Sequence, residues 1–481
     1  RFEYPGTIKW DNYSKNTYSR VRVEYEGELG TKIYDIKELN VSEFKLKDIG
    51  VARVSVLSYL IAGHEEILSS YTTMDDKVSY LIYGGGNGSV EDPYQITNEE
   101  HLQNVRYNMN SNYILGSDVS LFANASPEQR PQYSDGMVIN GIGVEFTGVF
   151  DGNNKTIKNI NYTDIYASEM AFIHTVAQEG VIKDLTLTIM GSNINATNFA
   201  GVAIYNYGTI SNVKVNAATA SNITYHQRNA TRVAGIVTYN HGTIDGAVNT
   251  ASFINNADLT KTNYIAGIAT ENYGTIIRSG NSGALSGMIV GGVVAINENL
   301  VTTSYNTGSL QAISKVSGEQ PIVGGISASN QNAEDGSTIA QVTNCYVIIS
   351  SITISTVNTS SMFGVAGGIV GAVYGTTVKP IENSYVVITT ANAVTTTNSS
   401  FGVVLGNATV LYTTNAEFNY NAYLLLNGGS YQTHGQDNSI YLAEQLPTKD
   451  ALVTKYTTNA NLKDIYKVDE GNLNNGYPVF K

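Results

Sequence analysis

His64-Glu65-Glu66-Ile67-Leu68 begins like a zinc-peptidase signature. That chemistry needs two histidines four residues apart on one helical face, with a glutamate between them as general base. Leu68 stands where the second ligand belongs, so the segment reads as an ordinary loop or strand. His101, His174, His226, His241 and His434 offer no pair at ligand spacing either. Glycan-cleaving enzymes instead need two carboxylates flanking the scissile bond. Between residues 165 and 425 the acids are isolated, apart from adjacent Glu334-Asp335. Stacked repeats would bring Asp151, Asp164 and Asp184 closest together, although all three also suit plain turn positions. Cys345 is the only cysteine, which leaves no disulfide framework and no thiolate metal site, and its place before Tyr346 and Val347 makes it a small core residue. The sequence holds no phosphate-binding loop, no dinucleotide fingerprint and no Asp-x-Asp-x-Asp-Gly calcium loop. These residues predict no catalytic, metal or cofactor site.

The scaffold that would carry any site is legible in a repeat. A small residue, a glycine and an aliphatic residue recur as Ala200-Gly201-Val202, Ala234-Gly235-Ile236, Ala266-Gly267-Ile268, Gly291-Gly292-Val293, Gly324-Gly325-Ile326, Gly367-Gly368-Ile369 and, led by an aromatic residue, Phe401-Gly402-Val403. The spacings are 34, 32, 25, 33, 43 and 34 residues. Five residues after the central glycine stand Asn206, Asn240, Asn272, Asn297, Asn330 and Asn407, with Val373 the exception. Seven residues after it, Gly208, Gly242, Gly274 and Gly375 alternate with Asn299 and Asn332, types that tolerate a left-handed backbone. Strand-forming runs follow, among them Thr243-Ile244, Thr275-Ile276 and Asn383-Ser384-Tyr385-Val386. Each copy reads as strand, tight turn, strand. A single copy cannot bury its apolar face, whereas copies stacked at about 4.8 Å per rung share one core. The asparagine column reads as turn residues or an internal amide ladder.

Charge separates the chain into regions. Residues 1–84 carry 24 charged side chains, and residues 165–425 carry only 20 in a far longer stretch. Alternation in Ser19–Tyr25 and Val51–Ile61 predicts half-buried antiparallel strands, and thus an immunoglobulin- or fibronectin-like β-sandwich over 1–84. Residues 85–91 read as a flexible glycine-rich linker. Residues 92–430 read as the solenoid, with a capping helix at about 98–109 begun by a Thr97/Glu100 capping box. Residues 431–481 read as a C-terminal capping segment. The net charge of −13, without any Lys/Arg cluster among aromatics, argues against nucleic acid. No apolar run reaches the roughly 18 residues of a membrane span, so no membrane insertion is expected. The start at Arg1, without an initiator methionine, suggests a mature or excised fragment, and the avoidance of cysteine fits an extracellular bacterial protein.

Together, the glycine phrases, the Asp92-Pro93-Tyr94-Gln95-Ile96 segment, the Phe150-Asp151-Gly152-Asn153-Asn154-Lys155-Thr156-Ile157 turn and the Asn475-Gly476-Tyr477-Pro478 ending resemble GLUG-motif bacterial surface proteins. The resemblance spans about residues 92–481. It implies a right-handed parallel β-helix, as in adhesin-like proteins and in the non-catalytic N-terminal region of IgA1-protease-type zinc metallopeptidases.

Binding has more support than catalysis. The chain has 33 tyrosines amid Asn, Ser and Thr, a chemistry that gives rigid contact area and hydrogen bonds at low entropic cost. Tyr205, Tyr207, Tyr239, Tyr273 and Tyr374 fall at or beside successive corners, as an exposed aromatic stripe or as stacks that shield the turn. The expected function is non-catalytic adhesion or recognition at the cell surface, with a host protein or glycan as partner and no cofactor. The alternatives are a non-catalytic region of a larger surface zinc metallopeptidase, a glycan-active β-helix enzyme, and a structural lattice or filament subunit.

Overall fold

The computed structural model describes residues 2–481 except 4–6, 12–16, 26–29, 47–49, 63–64, 75–77, 81–82, 122–136, 140–144, 163–166, 191–193, 195, 219–222, 226–230, 256–261, 316–318, 333–337, 357–362, 375–380, 398, 409–419, 427–431 and 435–442. The chain divides into two compact units, Arg1–Ser117 and Asp118–Lys481.

In the first unit, Tyr18–Tyr25 buries every second residue and pairs antiparallel with Thr31–Ile36 and Gly50–Ala62. Phe2–Glu3, Thr7–Lys9 and Glu43–Lys45 form another antiparallel sheet. Ile8 and Leu46 on one side meet Val21, Val23, Ala52 and Val54 on the other in a shared core, which makes the region a two-sheet sandwich. Glu65–Leu68 is an exposed strand antiparallel to Gly50–Ala62, so the segment after His64 is not helical; His64 itself lies outside the described residues.

The glycine-rich stretch, expected as a flexible linker, folds back on itself. Gly84 N–H donates to the Gln95 carbonyl at 2.8 Å, Gln95 N–H donates to Gly85 at 2.9 Å, and Tyr83 stacks on Tyr94 at 4.3 Å. Gly86, at φ +82°, allows this closure, since a Cβ there would lie 2.0 Å from the Pro93 carbonyl oxygen. Helix α1 (Glu99–Asn104) begins one residue later than the capping box predicts. Its cap is Asn98, whose side chain accepts from His101 N–H at 2.9 Å, while the Thr97 hydroxyl pairs with the His101 ring. Asparagine is as good an N-cap as any residue, and it wins here.

The second unit is a parallel β-helix of three faces. In one rung Thr231–Ala234 and Val237–Asn240 lie on face A, Thr243–Asp245 and Val248–Asn249 on face B, and Phe253–Asn255 on face C. Each pairs in parallel with the next rung: Val233 with Ile265, Tyr239 with Glu271, Ile244 with Ile276, Asn249 with Asn281, and Phe253 with Leu285. The two-strand reading of the repeat thus omits face C. Its short strands share no common phrase and, among the described residues, number six, against seventeen on face A.

Close approach, not a left-handed backbone, dictates the repeat glycines. A Cβ on Gly242 would sit 2.1 Å from the Gly208 carbonyl oxygen, and one on Gly274 would sit 2.1 Å from that of Gly242. The left-handed residues form a different column, at the corner within face B: Asp184, Asn212, Gly246, Arg278, Thr303, Asn344 and Asn383, with φ between 49° and 69°. Gly375 lies outside the described residues.

The asparagine column is an internal amide ladder. Asn206 Nδ2 donates to Asn240 Oδ1 at 2.8 Å, Asn240 to Asn272 at 2.8 Å, Asn272 to Asn297 at 2.9 Å and Asn297 to Asn330 at 3.3 Å. Asn407 does not belong to it. Gly402 pairs with Gly367, which sets Asn407 opposite Ala372 and gives Val403 the place expected for Gly402. A second ladder escaped the sequence reading. Asn249 donates to Asn281 and Asn281 to Asn306, both at 2.7 Å, in the space left by Gly235, Gly267 and Gly292.

Near the C-terminus, helix α2 (Lys449–Thr458) and residues after it pack Leu452, Tyr456, Tyr466 and Tyr477 against Tyr346, Tyr385 and Leu424 of face B. Tyr456 Oη donates to the Ser384 carbonyl at 2.7 Å and Tyr466 Oη to that of Asn383 at 2.9 Å.

The two kinds of glycine respond differently to substitution. Gly242→Ala is expected to cost about 3 kcal/mol or to prevent folding, because the clash is with backbone. Gly246→Asn places a residue that accepts φ +69° beside the movable Asn212 side chain, and is expected to stay within about 1 kcal/mol of wild type. Urea denaturation of the two variants checks this; equal losses would contradict it.

Candidate functional site

Face A bends at each Ala/Gly-Gly-aliphatic phrase, and the bend opens outward. Arg232 and Tyr239 are seven residues apart in one rung, a separation of about 23 Å along a straight strand. The guanidinium carbon nevertheless lies 5.4 Å from the Tyr239 ring centroid. Likewise Glu169 reaches His174, five residues on, with Oε2 2.8 Å from Nε2. Side chains of the two half-strands therefore face each other across a groove that follows the stacking direction.

Registered columns line the groove. One side presents Glu169, Asn198, Arg232, Tyr264, Ile289 and Ile322 on successive rungs. The other presents Thr175, Tyr205, Tyr239, Glu271, Ile296 and Ser329. The groove is thus polar and aromatic over its first rungs and aliphatic beyond. Glu169 accepts from His174, from Asn198 Nδ2 at 3.0 Å and from Tyr205 Oη at 3.5 Å. The His174 hydrogen bond is the main cause that holds the Glu169 carboxyl below its ordinary range. Burial, reinforced by Glu169, pushes the Tyr205 phenol up to about 12. Glu271 accepts from Arg232 Nε at 2.5 Å and from Tyr273 Oη.

The expected tyrosine stripe resolves into two stacks. Tyr205 and Tyr239 lie 5.1 Å apart at 10° in the groove, while Tyr207, His241 and Tyr273 stack at 4.9 and 4.7 Å along the turn between faces A and B. Of the five tyrosines only Tyr207 is exposed, at 44%. The rings within each stack cover one another, and the Tyr207, His241 and Tyr273 stack shields the turn. Tyr374 packs instead against the Ile289 and Ile322 cluster.

The aspartate set is brought together only in part. Asp151 pairs with Lys183 at 2.8 Å and accepts from Asn153 N–H at 2.7 Å. Asp184 lies 3.8 Å from the same lysine and accepts from Asn212. Both serve the left-handed corner, and Asp164 lies outside the described residues. Cys345 is fully buried, where apolar surroundings push its thiol up to about 12. It stands in a column of hydroxyls: Ser304 and Ser384, like Cys345, donate to the carbonyl two residues back. Among the described residues no group of three His, Cys, Asp or Glu side chains is arranged to hold a metal ion.

Catalytic spacing in the sequence does not single out Glu169, Asn198 or Arg232, and it offers His174 only as an unpaired histidine. A signal was present: Asn198, Arg232 and Tyr264 are spaced 34 and 32 residues, the same intervals as the corner glycines.

No family model matches the sequence. The resemblance to GLUG-motif proteins therefore rests on the quoted motifs alone. Over 144 residues the chain is 29% identical to halomucin of Haloquadratum walsbyi, a match that covers 28% of this chain and 2% of that protein. Among solved structures it is similar to an IgA1 protease at a TM-score of 0.35 and 11% identity, covering 85% of this chain and 28% of that one. The chain thus spans a minor part of both proteins.

Two outcomes follow from these surroundings. Because the folded pKa of Glu169 is depressed, its contribution is complete above the ordinary carboxylate value and is lost as pH falls through the lower folded value. Glu169→Gln should therefore lower stability near neutral pH and flatten the loss of stability as pH falls below the ordinary carboxylate range, as followed by thermal denaturation. Cys345→Ser should change stability by about 1 kcal/mol or less, with the native wild-type thiol inert to Ellman's reagent until unfolding. Rapid labelling of the folded protein would contradict the burial.

Proposed function

We propose that this chain is a non-catalytic recognition module of an extracellular or cell-surface protein, with the groove on face A as its binding surface and a host glycan as the favoured ligand. One observation carries the reading: the bend brings Asn, Tyr, Arg, His and Glu side chains together along a track with one rung every 4.8 Å or so. A linear polymer with regularly spaced hydroxyl groups matches such a track. The carboxylates Glu169 and Glu271 are each engaged by two or more protein donors, an arrangement suited to holding shape rather than to exchanging protons with a substrate. The similarity to halomucin supports an extracellular setting. A host protein is the other occupant of the same surface.

Binding to a glycan array and to immobilised matrix proteins, followed by calorimetry on the hits, tests the reading. Tyr239→Ala and Tyr264→Ala are expected to weaken glycan binding about tenfold, while Thr353→Ala on face C leaves it unchanged. Equal effects at both places would move the site elsewhere. Release of reducing ends from any bound polysaccharide would overturn the non-catalytic assignment.

A further inference from the structure

The groove contains a cation whose donors are only partly used. Arg232 spends its Nε on Glu271, and its guanidinium carbon lies 5.4 and 5.1 Å from the ring centroids of Tyr239 and Tyr264. Its side chain remains 24% exposed, and among the described residues neither terminal nitrogen donates to a protein acceptor. The Nε bond and the two ring contacts thus hold the guanidinium in place, and its two terminal nitrogens keep N–H donors for a ligand. That geometry fits the two oxygens of a planar carboxylate, and little orientational freedom is left to lose on binding.

A second observation lies one rung earlier. Asn198 pairs with Arg232 in register and is 8% exposed, with Nδ2 committed to Glu169. Its Oδ1 is buried and has no hydrogen-bond partner. A buried amide oxygen left unpaired carries a desolvation cost that a hydroxyl donor from a ligand would recover. Unused donors one rung from an unpaired acceptor describe a ligand that carries a carboxylate and a neighbouring hydroxyl. The Glu169 and Glu271 charges nearby repel a doubly charged group, which favours a monoanionic carboxylate over a phosphate ester.

We propose that Arg232 and Asn198 form a subsite for an acidic sugar within the bound glycan, with Arg232 gripping its carboxylate and Asn198 Oδ1 accepting from an adjacent hydroxyl. The subsite rests on the groove being a glycan-binding surface. Both uronic and sialic acids present this chemistry, so the test uses the full chain with three probes: a uronate-containing oligosaccharide, a sialylated one, and the first after chemical reduction of its carboxyl groups to alcohols.

The wild-type chain should bind one acidic probe at least about tenfold more tightly than the reduced probe, with affinity falling as salt rises. The acidic probe that binds identifies the source. Arg232→Gln alone strands Glu271, so Arg232→Gln with Glu271→Gln is the matched variant, its fold checked by circular dichroism. It should bind acidic and reduced probes equally. Asn198→Leu should weaken both probes in the wild-type background. If reduced and acidic probes bind wild type alike, the subsite is wrong while the groove reading survives. If none of the three probes binds, or the double variant keeps its preference for acid, the subsite is wrong; total absence of glycan binding also removes the reading beneath it.

Discussion

Everything in the β-helix follows from how closely successive rungs approach at the corners of face A. Carbonyl oxygens of one rung lie 2.0 to 2.4 Å from where a Cβ of the preceding rung would stand, at Gly201, Gly235, Gly267, Gly292 and Gly325. Only glycine fits, so the chain can bend sharply there without losing the parallel pairing on either side. The bend makes face A concave to solvent. It also leaves room on the inside for the second asparagine ladder, whose side chains stand against those same glycines. One steric condition thus shapes both the interior and the groove.

The polar interior is tolerable because it is organised as rows. An isolated buried amide leaves donors and acceptors unmet, at a cost comparable to a lost hydrogen bond for each. Stacking one asparagine on another at the rung spacing satisfies most of them. The side chains also donate to nearby backbone carbonyls, as Asn249 does to Ala251 and Asn281 to Gly283, each at 2.9 Å. Where the row ends, valine takes over: Val215 and Val347 flank the second ladder in the same registered column. The fold therefore switches between apolar and amide filling without any change in backbone.

How much of this was legible depends on periodicity. Identical residues at fixed offsets exposed the solenoid, the corner glycines and the first ladder, because every copy must solve the same packing problem. The third strand was hidden because face C imposes only alternation on segments such as Ile352–Thr356, with no shared residue. The left-handed column was hidden because Asp, Asn, Gly, Arg and Thr all occupy it, so the constraint acts on the backbone and leaves no single letter. The groove was missed for another reason. Arg232 and Glu271 are 39 residues apart, and their pairing exists only once rungs are stacked and bent. Asn407 shows the converse error, a residue at the right offset that register excludes.

The first amide ladder has a direction. Every Nδ2 points to the later rung, which leaves Asn206 Oδ1 unpaired at one end and Asn330 Nδ2 unpaired at the other. To reverse one amide in the middle would set two NH2 groups against each other on one side and two carbonyl oxygens on the other. A single flip is therefore penalised twice, whereas turning over the whole row creates no internal mismatch. Five side chains on five rungs consequently behave as one polar unit, a buried row of aligned dipoles whose orientation is shared along its length in the manner of a ferroelectric chain.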